Sequence, residues 1–206
     1  MKKTIIASLL STLMLSGCIS TGGESADEPL SYDALRETGS ELAISSDDSH
    51  YEPSTVVEVE TVRLAVNTAF LAAKPAYERY TEELIATPAL GNFFAATEAA
   101  STDEEKKAIY DALSPKNKAT VDKFLASSMF SEIMSGLGDA AKPALKSVAM
   151  MTTINASDAL QNVGFLNLIN EKDKFSHTTD QVLYLNDSVI SAYNNYKVVS
   201  SFNTAK

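Results

Sequence analysis

Cys18 is the only cysteine of the chain, and its thiol is the most versatile reactive group in the sequence. A thiol can serve as a nucleophile, a metal ligand or half of a disulfide bond. Because no second cysteine occurs in the 206 residues, the sequence excludes an intramolecular disulfide and a thiolate metal cluster. The fold must then be stable through core packing alone.

The residues before Cys18 have a characteristic order. Met1-Lys2-Lys3 is a short basic start, residues 5 to 15 form an uncharged apolar run, and Leu15-Ser16-Gly17 leads directly into the cysteine. The run has the length of a signal-peptide core and is too short to span a membrane as a helix. This stretch resembles the start of a bacterial lipoprotein precursor, whose lipobox is Leu, a small residue, Gly and Cys.

The resemblance implies that residues 1–17 are a signal peptide that is cleaved, and that Cys18 receives a diacylglycerol group and a further acyl chain such as palmitate. Two or more chains anchor a protein stably, since each buried methylene contributes roughly 0.8 kcal/mol. In enterobacterial lipoproteins, an Asp directly after the cysteine favours retention in the inner membrane. This chain has Ile19 at that position, so we expect an anchor in the outer membrane, with the domain in the periplasm. A surface-exposed domain stays open, as does an ordinary secretory signal with a chance cysteine.

The histidines and carboxylates offer little further chemistry. His50 and His177 are far apart, and no H-E-x-x-H motif is present. His177 could act as a general base, but an exposed histidine near a helix start is the reading we favour. Glu78 and Glu82 lie one helical turn apart and could share a raised pKa, yet no Glu-x-x-His motif accompanies them. We expect a solvated face there, and Asp103 to Glu105 at a helix N-terminus.

Apolar residues supply the one candidate groove. Flexible methionine-rich surfaces can bind apolar ligands or partner helices, while the alternative, which we favour, is that such residues fill the core. The candidate groove residues are Phe93, Phe94, Met129, Phe130, Met134, Met150 and Met151.

The balance of acidic and basic residues differs between the N-terminal part of the chain and the rest. Residues 19–60 carry eleven acids and one base, Arg36, whereas residues 61–206 carry 16 acids and 14 bases. We therefore predict a signal peptide at 1–17, an acidic flexible tether at 18–54 and a folded domain at 55–206. Within the tether, Ser31 could cap a short helix. It could dock on a partner, but we favour a helix that is transient or that pads the main domain.

The folded part is predicted to be all-α. Only four glycines fall within residues 61–206, too few for a turn-rich β fold. Helix starts are predicted by Thr55-x-x-Glu58, Ser101-x-x-Glu104, Ser114-Pro115 and Thr178-x-x-Gln181. Pro75, Pro88, Pro115 and Pro143 are expected to divide the region, which gives a bundle of about seven helices.

A short repeat suggests an internal relationship. The sequence AAKPA occurs at 72–76 and again at 140–144. A period of about 70 residues would fit two related helical halves packed face to face. Coincidence in an alanine-rich chain is the alternative.

These features predict a membrane-anchored, non-catalytic lipoprotein whose helical domain binds a protein partner in an envelope accessory or assembly role. The alternative is a carrier or sensor of an apolar ligand, such as a lipid, held between helices. No cofactor or metal is expected. Because basic residues form no cluster in an acidic chain, nucleic acid is not an expected partner.

Overall fold

A computed structural model describes residues 31–47, 50–153, 163 and 165–202. The predicted signal peptide, the lipobox and Cys18 lie outside the described residues. The described part is helical and contains no strand, which confirms the predicted all-α bundle.

Six helices precede a long C-terminal helical stretch. Their bounds are α1 Tyr32–Ile44, α2 Val57–Ala86, α3 Pro88–Ala99, α4 Asp103–Asp111, α5 Pro115–Leu125 and α6 Ser128–Met151. The C-terminal stretch consists of α7 Phe165–Leu185, a π-helical turn Asn186–Ile190 and α8 Ser191–Val199, which follow one another without a break. Counted as one, it brings the described part to seven helical segments, as predicted.

Helix α2 is the centre of the bundle. It packs against α6 along its length and also contacts α1, α3 and α7. The α2 side chains that face the core recur at steps of three and four residues, which places them on one stripe of the helix. The other helices are arranged around this stripe.

Local capping rules predict some helix starts and miss others. Ser114 caps α5, with Pro115 in its first turn, as predicted. The capping box of α4 is formed by Thr102 and Glu105, one residue after the predicted pair. Helix α2 begins at Val57 without a side-chain cap, so the predicted role of Thr55 is wrong.

Two of the four prolines do not end helices. Pro88 and Pro115 occupy first turns, as the prediction requires. Pro75 lies inside α2 and Pro143 inside α6, where the prediction of a helix break is wrong. An interior proline costs about 3 kcal/mol. The long packing surface that α2 and α6 share outweighs this local cost.

The predicted helix start at Thr178 is also wrong, because α7 already begins at Phe165. The Thr178 hydroxyl donates to the carbonyl oxygen of Lys174, a bond typical of a threonine inside a helix. Gln181, the other half of the predicted box, is buried and bonds to groups far away in the sequence.

The predicted tether at 18–54 is partly folded. Ser31 caps α1 as expected, and the helix lies on the domain with Tyr32 and Leu42 buried. Residues 32–44 of the predicted tether are therefore packed on the domain, ahead of the predicted domain start at 55. Of the alternatives for this helix, the structure shows the pad against the domain. Gly39 makes the close approach possible, because a Cβ there would lie 2.7 Å from the Tyr184 hydroxyl oxygen.

Candidate functional site

An open groove runs along the outer side of the α2–α6 pair and has a volume of about 530 Å³. Its floor contains the buried residues Ala69 and Ser147, and its walls contain exposed side chains such as Leu64. Both helices contribute residues at steps of three and four, so each presents one face. The lining residues are Thr61, Leu64, Ala65, Thr68, Ala69, Ala72, Pro143, Lys146, Ser147 and Met150.

The hydroxyl groups of the lining are occupied by internal hydrogen bonds. Thr61 and Thr68 donate to carbonyl oxygens one turn earlier in α2, at 2.9 Å and 2.8 Å. Ser147 donates across the helix pair to the carbonyl oxygen of Ala65 at 3.1 Å. Because these donors are satisfied, the groove offers mainly apolar surface to an occupant. Lys146 is the single charged side chain among the lining residues that the structure describes.

The AAKPA repeat contributes to this groove from both sides. Ala72 comes from its first copy and Pro143 from its second, and both are lining residues. Further along the same helix pair, a Cβ at Gly136 would lie 3.8 Å from the Cβ of Ala76, an ordinary contact. Small residues on both helices therefore allow their close packing. Duplication of two helical halves stays a prediction.

Most of the candidate groove residues lie elsewhere. Phe93, Phe94, Phe130 and Met134 are buried in the core, where the rings of Phe93 and Phe94 are 5.2 Å apart and those of Phe94 and Phe130 6.0 Å. Met129 packs partly buried against the same core. The structure therefore places these five in the core-filling role that the sequence left as the alternative to a groove.

The last two methionines have different positions. Met150 lines the α2–α6 groove, and Met151 is the half-buried last residue of α6. One of the seven candidate residues thus lines the groove that the structure contains. Sequence reasoning missed the alanines and threonines that make up half of its lining residues, since small side chains carry no binding signature of their own.

A second unusual place lies inside the bundle, beneath α1. The carboxylate oxygen Oε1 of Glu98 accepts hydrogen bonds from the hydroxyls of Tyr32, at 3.2 Å, and Tyr80, at 2.8 Å. The other oxygen, Oε2, has no hydrogen-bond partner among the described residues, and neither have the buried hydroxyls of Tyr77 and Tyr184. This tyrosine cluster is therefore a polar interior that is only partly satisfied.

Burial dominates the electrostatics of the cluster. It raises the pKa of Glu98 to about 7, against the opposing effects of the hydroxyls of Tyr80 and Tyr32, the ammonium of Lys106 and the amide of Asn195. Burial, with the Glu98 charge next, also raises the pKa of Tyr80. The neutral forms of these groups are thus more favoured in the folded chain than in water. Glu98 was not singled out from the sequence, where its only signal is that it ends a long uncharged run.

A third polar group fastens residues 50–55, which we call the latch, to the domain. Glu171 of α7 is 1% exposed and accepts from the Ser54 hydroxyl and from both the N–H and the hydroxyl of Thr55, the latter two at 3.1 Å and 3.2 Å. Lys174 donates to the carbonyl oxygen of Pro53 at 2.8 Å and lies 3.5 Å from the Glu171 carboxylate. Burial raises the pKa of Glu171, but these donors outweigh it, and the pKa lies below its usual value.

Arg63 completes the latch from α2. Its guanidinium is buried, donates to the carbonyl oxygen of Glu52 at 2.9 Å, and pairs with Glu60 at 3.3 Å. The guanidinium carbon of Arg63 lies over the Tyr51 ring, 5.1 Å from the centroid of that ring. The buried charges that hold the latch, on Arg63 and Glu171, are thus paired and hydrogen-bonded.

Ser46, His177 and Asp180 have the residue types of a hydrolase triad, but their geometry is structural. Ser46 is fully buried, and its hydroxyl donates to the Leu42 carbonyl oxygen, while His177 Nε2 lies 3.3 Å away. The Ser46 hydroxyl also accepts from Gln181 at 2.8 Å. Burial lowers the pKa of His177. The prediction of an exposed histidine near a helix start is wrong, because His177 is half-buried in the interior of α7.

The predicted carboxylate clusters are surface features. Glu78 pairs with Lys74 at 2.6 Å, and Glu82 pairs with Arg36 of α1 at 3.5 Å. Asp103 to Glu105 form the first turn of α4, as expected. Within the described residues, no cluster of His, Cys, Asp and Glu could hold a metal ion. Nor does any described helix combine the length and apolar character needed to cross a membrane.

Comparison with protein-family models, curated proteins and solved structures finds no match to this chain.

Proposed function

We propose that this chain is a lipoprotein anchored in the outer membrane through Cys18, and that its non-catalytic helical domain binds a helix of a protein partner in the α2–α6 groove. The anchor rests on the lipobox of residues 15–18. The partner site rests on one observation, an open groove of about 530 Å³ with apolar walls. An envelope accessory or assembly role, on the periplasmic side, fits both.

The shape of the groove suits a helix. Residues from Thr61 to Ala72 extend over eleven helical steps, roughly 17 Å, which corresponds to about three turns of a docked helix. The floor is made of alanine and serine, so a third backbone can approach closely and place its side chains between those of α2 and α6. Helix-in-groove recognition uses this geometry, with anchors spaced by three and four residues.

Charge indicates the chemistry of the partner. Lys146 is the one charged group of the described lining, and no carboxylate lines the groove beside it. An amphipathic helix with an apolar stripe and an acidic residue at its edge would pair with this ammonium. The acidic side chain would also orient the helix along the groove.

The exposure of the walls argues against the alternative of an apolar-ligand carrier. Binding sites for small apolar molecules commonly bury 70–90% of the ligand surface. Leu64, on one wall, is 54% exposed, so an acyl chain lying here would keep one side in water. A helix places its polar side there at no such cost.

Site-specific photo-crosslinking in the envelope of the producing cell tests the partner site. A photoreactive residue at Thr68 is expected to give a protein adduct that Ala72→Arg abolishes, because Ala72 is an exposed lining residue. The matched control is Ala119→Arg, on an exposed position of α5. Equal adduct formation in both variants, or an adduct with lipid alone, would refute the helix-binding groove.

The anchor is tested separately with Cys18→Ser. We expect this variant to lose incorporation of labelled palmitate and to leave the membrane fraction. Unchanged labelling would overturn the lipoprotein assignment and leave the groove untouched.

A further inference from the structure

Helix α1 and the latch attach the N-terminal part of the chain to the domain at two places, which differ in how completely their buried polar groups are hydrogen-bonded. Helix α1 covers the tyrosine cluster, where Glu98 Oε2 and two tyrosine hydroxyls have no hydrogen-bond partner among the described residues. The latch lies further along the chain, where Glu171 accepts three hydrogen bonds from Ser54 and Thr55. The polar attachment of α1 is therefore the less satisfied of the two.

The direct polar link between α1 and the cluster is the Tyr32 hydroxyl, which donates to Glu98 Oε1. A carboxylate has about four acceptor positions, and the two hydrogen bonds from Tyr32 and Tyr80 both fall on one oxygen. An ionised Glu98 would bury charge on Oε2 without a donor, which is costly. Departure of α1 would uncover this oxygen to water and remove the cost.

We propose that α1 is a releasable clasp, which undocks from α2, α3 and α7 when Glu98 ionises, while the latch and Ser46 stay attached to the domain. This inference goes beyond the proposed function and does not rest on it. The clasp is a 13-residue helix, a length that is marginal in isolation, so that its helical state depends on docking.

Titratable and polar side chains face Glu98 from α1, α2, α4 and α8. Tyr32 faces it from α1 and Tyr77 and Tyr80 from α2, while Lys106 of α4 and the amide of Asn195 of α8 favour its ionised form. Lys106 is itself bonded to Asn195, at 3.1 Å. These opposing effects do not cancel the effect of burial, and the pKa of Glu98 stays at about 7.

The direction of the pH effect follows from linkage. Because the docked pKa is above the ordinary 4.5, docking is fully favoured below that value, and the advantage is lost as the pH rises through about 7. If release restores the ordinary pKa, ionisation shifts the balance toward the undocked helix by up to about 300-fold. Clasp release is therefore expected at alkaline pH.

Hydrogen–deuterium exchange of the full chain tests the clasp. At pH 4 the amides of residues 32–44 should exchange at nearly the same rate in the native chain and in Glu98→Gln, because Glu98 is then largely neutral in the docked and the released helix alike. At pH 9 they should exchange up to about 300-fold faster in the native chain than in Glu98→Gln, because the glutamine side chain of the variant cannot ionise. Comparison at equal pH removes the intrinsic pH dependence of exchange. Glu132→Gln, on an exposed glutamate of α6 that pairs with Arg79 of α2 and not with α1, is the matched control and should follow the native chain.

Gly39→Ala provides a reference for the released helix. The added methyl group would overlap the buried Tyr184 ring, so α1 should exchange fast at every pH while α2 stays protected. Equal α1 rates in the native chain and Glu98→Gln at pH 9 would overturn the proposal. So would equal acceleration of α1 and α2, because that would show loosening of the whole bundle. If Glu98→Gln fails to fold, the native chain decides, since the exchange rate of α1 relative to that of α2 must rise between pH 4 and pH 9. An unchanged ratio would overturn the proposal.

Discussion

Glu98 and Glu171 are both carboxylates inside the bundle, and both contact the N-terminal part of the chain, yet their surroundings shift their pKa values in opposite directions. Glu171 accepts from Ser54 and Thr55 and lies beside Lys174, and its pKa is lowered. Glu98 accepts two tyrosine hydroxyls, and its pKa rises to about 7. The number and strength of donors thus decide whether a buried acid is charged, and burial alone does not.

The two acids make attachment of the N-terminal part depend on pH in opposite senses. The folded pKa of Glu171 is below 4.5, so its contribution is present above that value and is lost as the solution becomes more acidic. The folded pKa of Glu98 is above 4.5, so its contribution is present at low pH and is lost through about 7. Both attachments are favourable together only between these limits.

The largest expected effect on stability comes from removing Glu171, the carboxylate whose hydrogen bonds are well satisfied. Glu171→Ala leaves Ser54 and Thr55 without their acceptor and Lys174 without its ion-pair partner, which should lower the free energy of unfolding by about 4 kcal/mol at pH 7. Urea denaturation followed by circular dichroism measures it. Glu132→Ala, which removes the exposed pair with Arg79, should change stability little. A loss below about 1 kcal/mol for Glu171→Ala would mean that the latch contributes little.

A smaller effect, whose size depends on pH, is expected from substitution of Glu98. At pH 8.5, Glu98→Gln should raise the free energy of unfolding by about 3 kcal/mol relative to the native chain, because the native carboxylate is ionised there against its environment. At pH 4 the two should differ little. The same urea titration at both values provides the test, and a gain that does not depend on pH would contradict the raised pKa.

Tyr32→Phe should have the smallest effect and sharpens the comparison most. It removes one hydrogen bond to Glu98 and keeps the ring packed against Tyr80, with 6.2 Å between centroids. We expect a loss of about 1 kcal/mol. The apparent pKa of Glu98 should rise further, because a donor that favours its charged form is removed, and NMR titration of a Glu-labelled chain would detect it. An unchanged pKa would show that Tyr32 does not interact with the carboxylate in solution.

Local rules in the sequence account for much of the fold. The cap at Ser114, the acidic first turn of α4 and the short helix after Ser31 are predicted because their causes lie within three or four residues. The interior prolines are not, since their cost is offset by packing between α2 and α6, whose contacts lie about 70 residues apart.

The candidate sites show the same division. Glu98 owes its pKa to Tyr80, 18 residues away, and to Tyr32, 66 residues away, and no spacing in the sequence signals either contact. The groove likewise depends on which faces of α2 and α6 stay uncovered. The phenylalanines and methionines were found as an apolar set, and their packing into the core is the alternative that the sequence favoured.

The order of attachments along the chain has a mechanical consequence. A pull on residues before Ser31 loads α1 from its N-terminal end, so that the contact of Tyr32 with Glu98 bears the force before Ser46 and the latch do. Peeling and unwinding the 13 residues of α1 would lengthen the connection by roughly 25 Å while the bundle stays intact. Under tension, α1 would therefore unwind and lengthen the N-terminal connection before the packed helices of the domain bear the force.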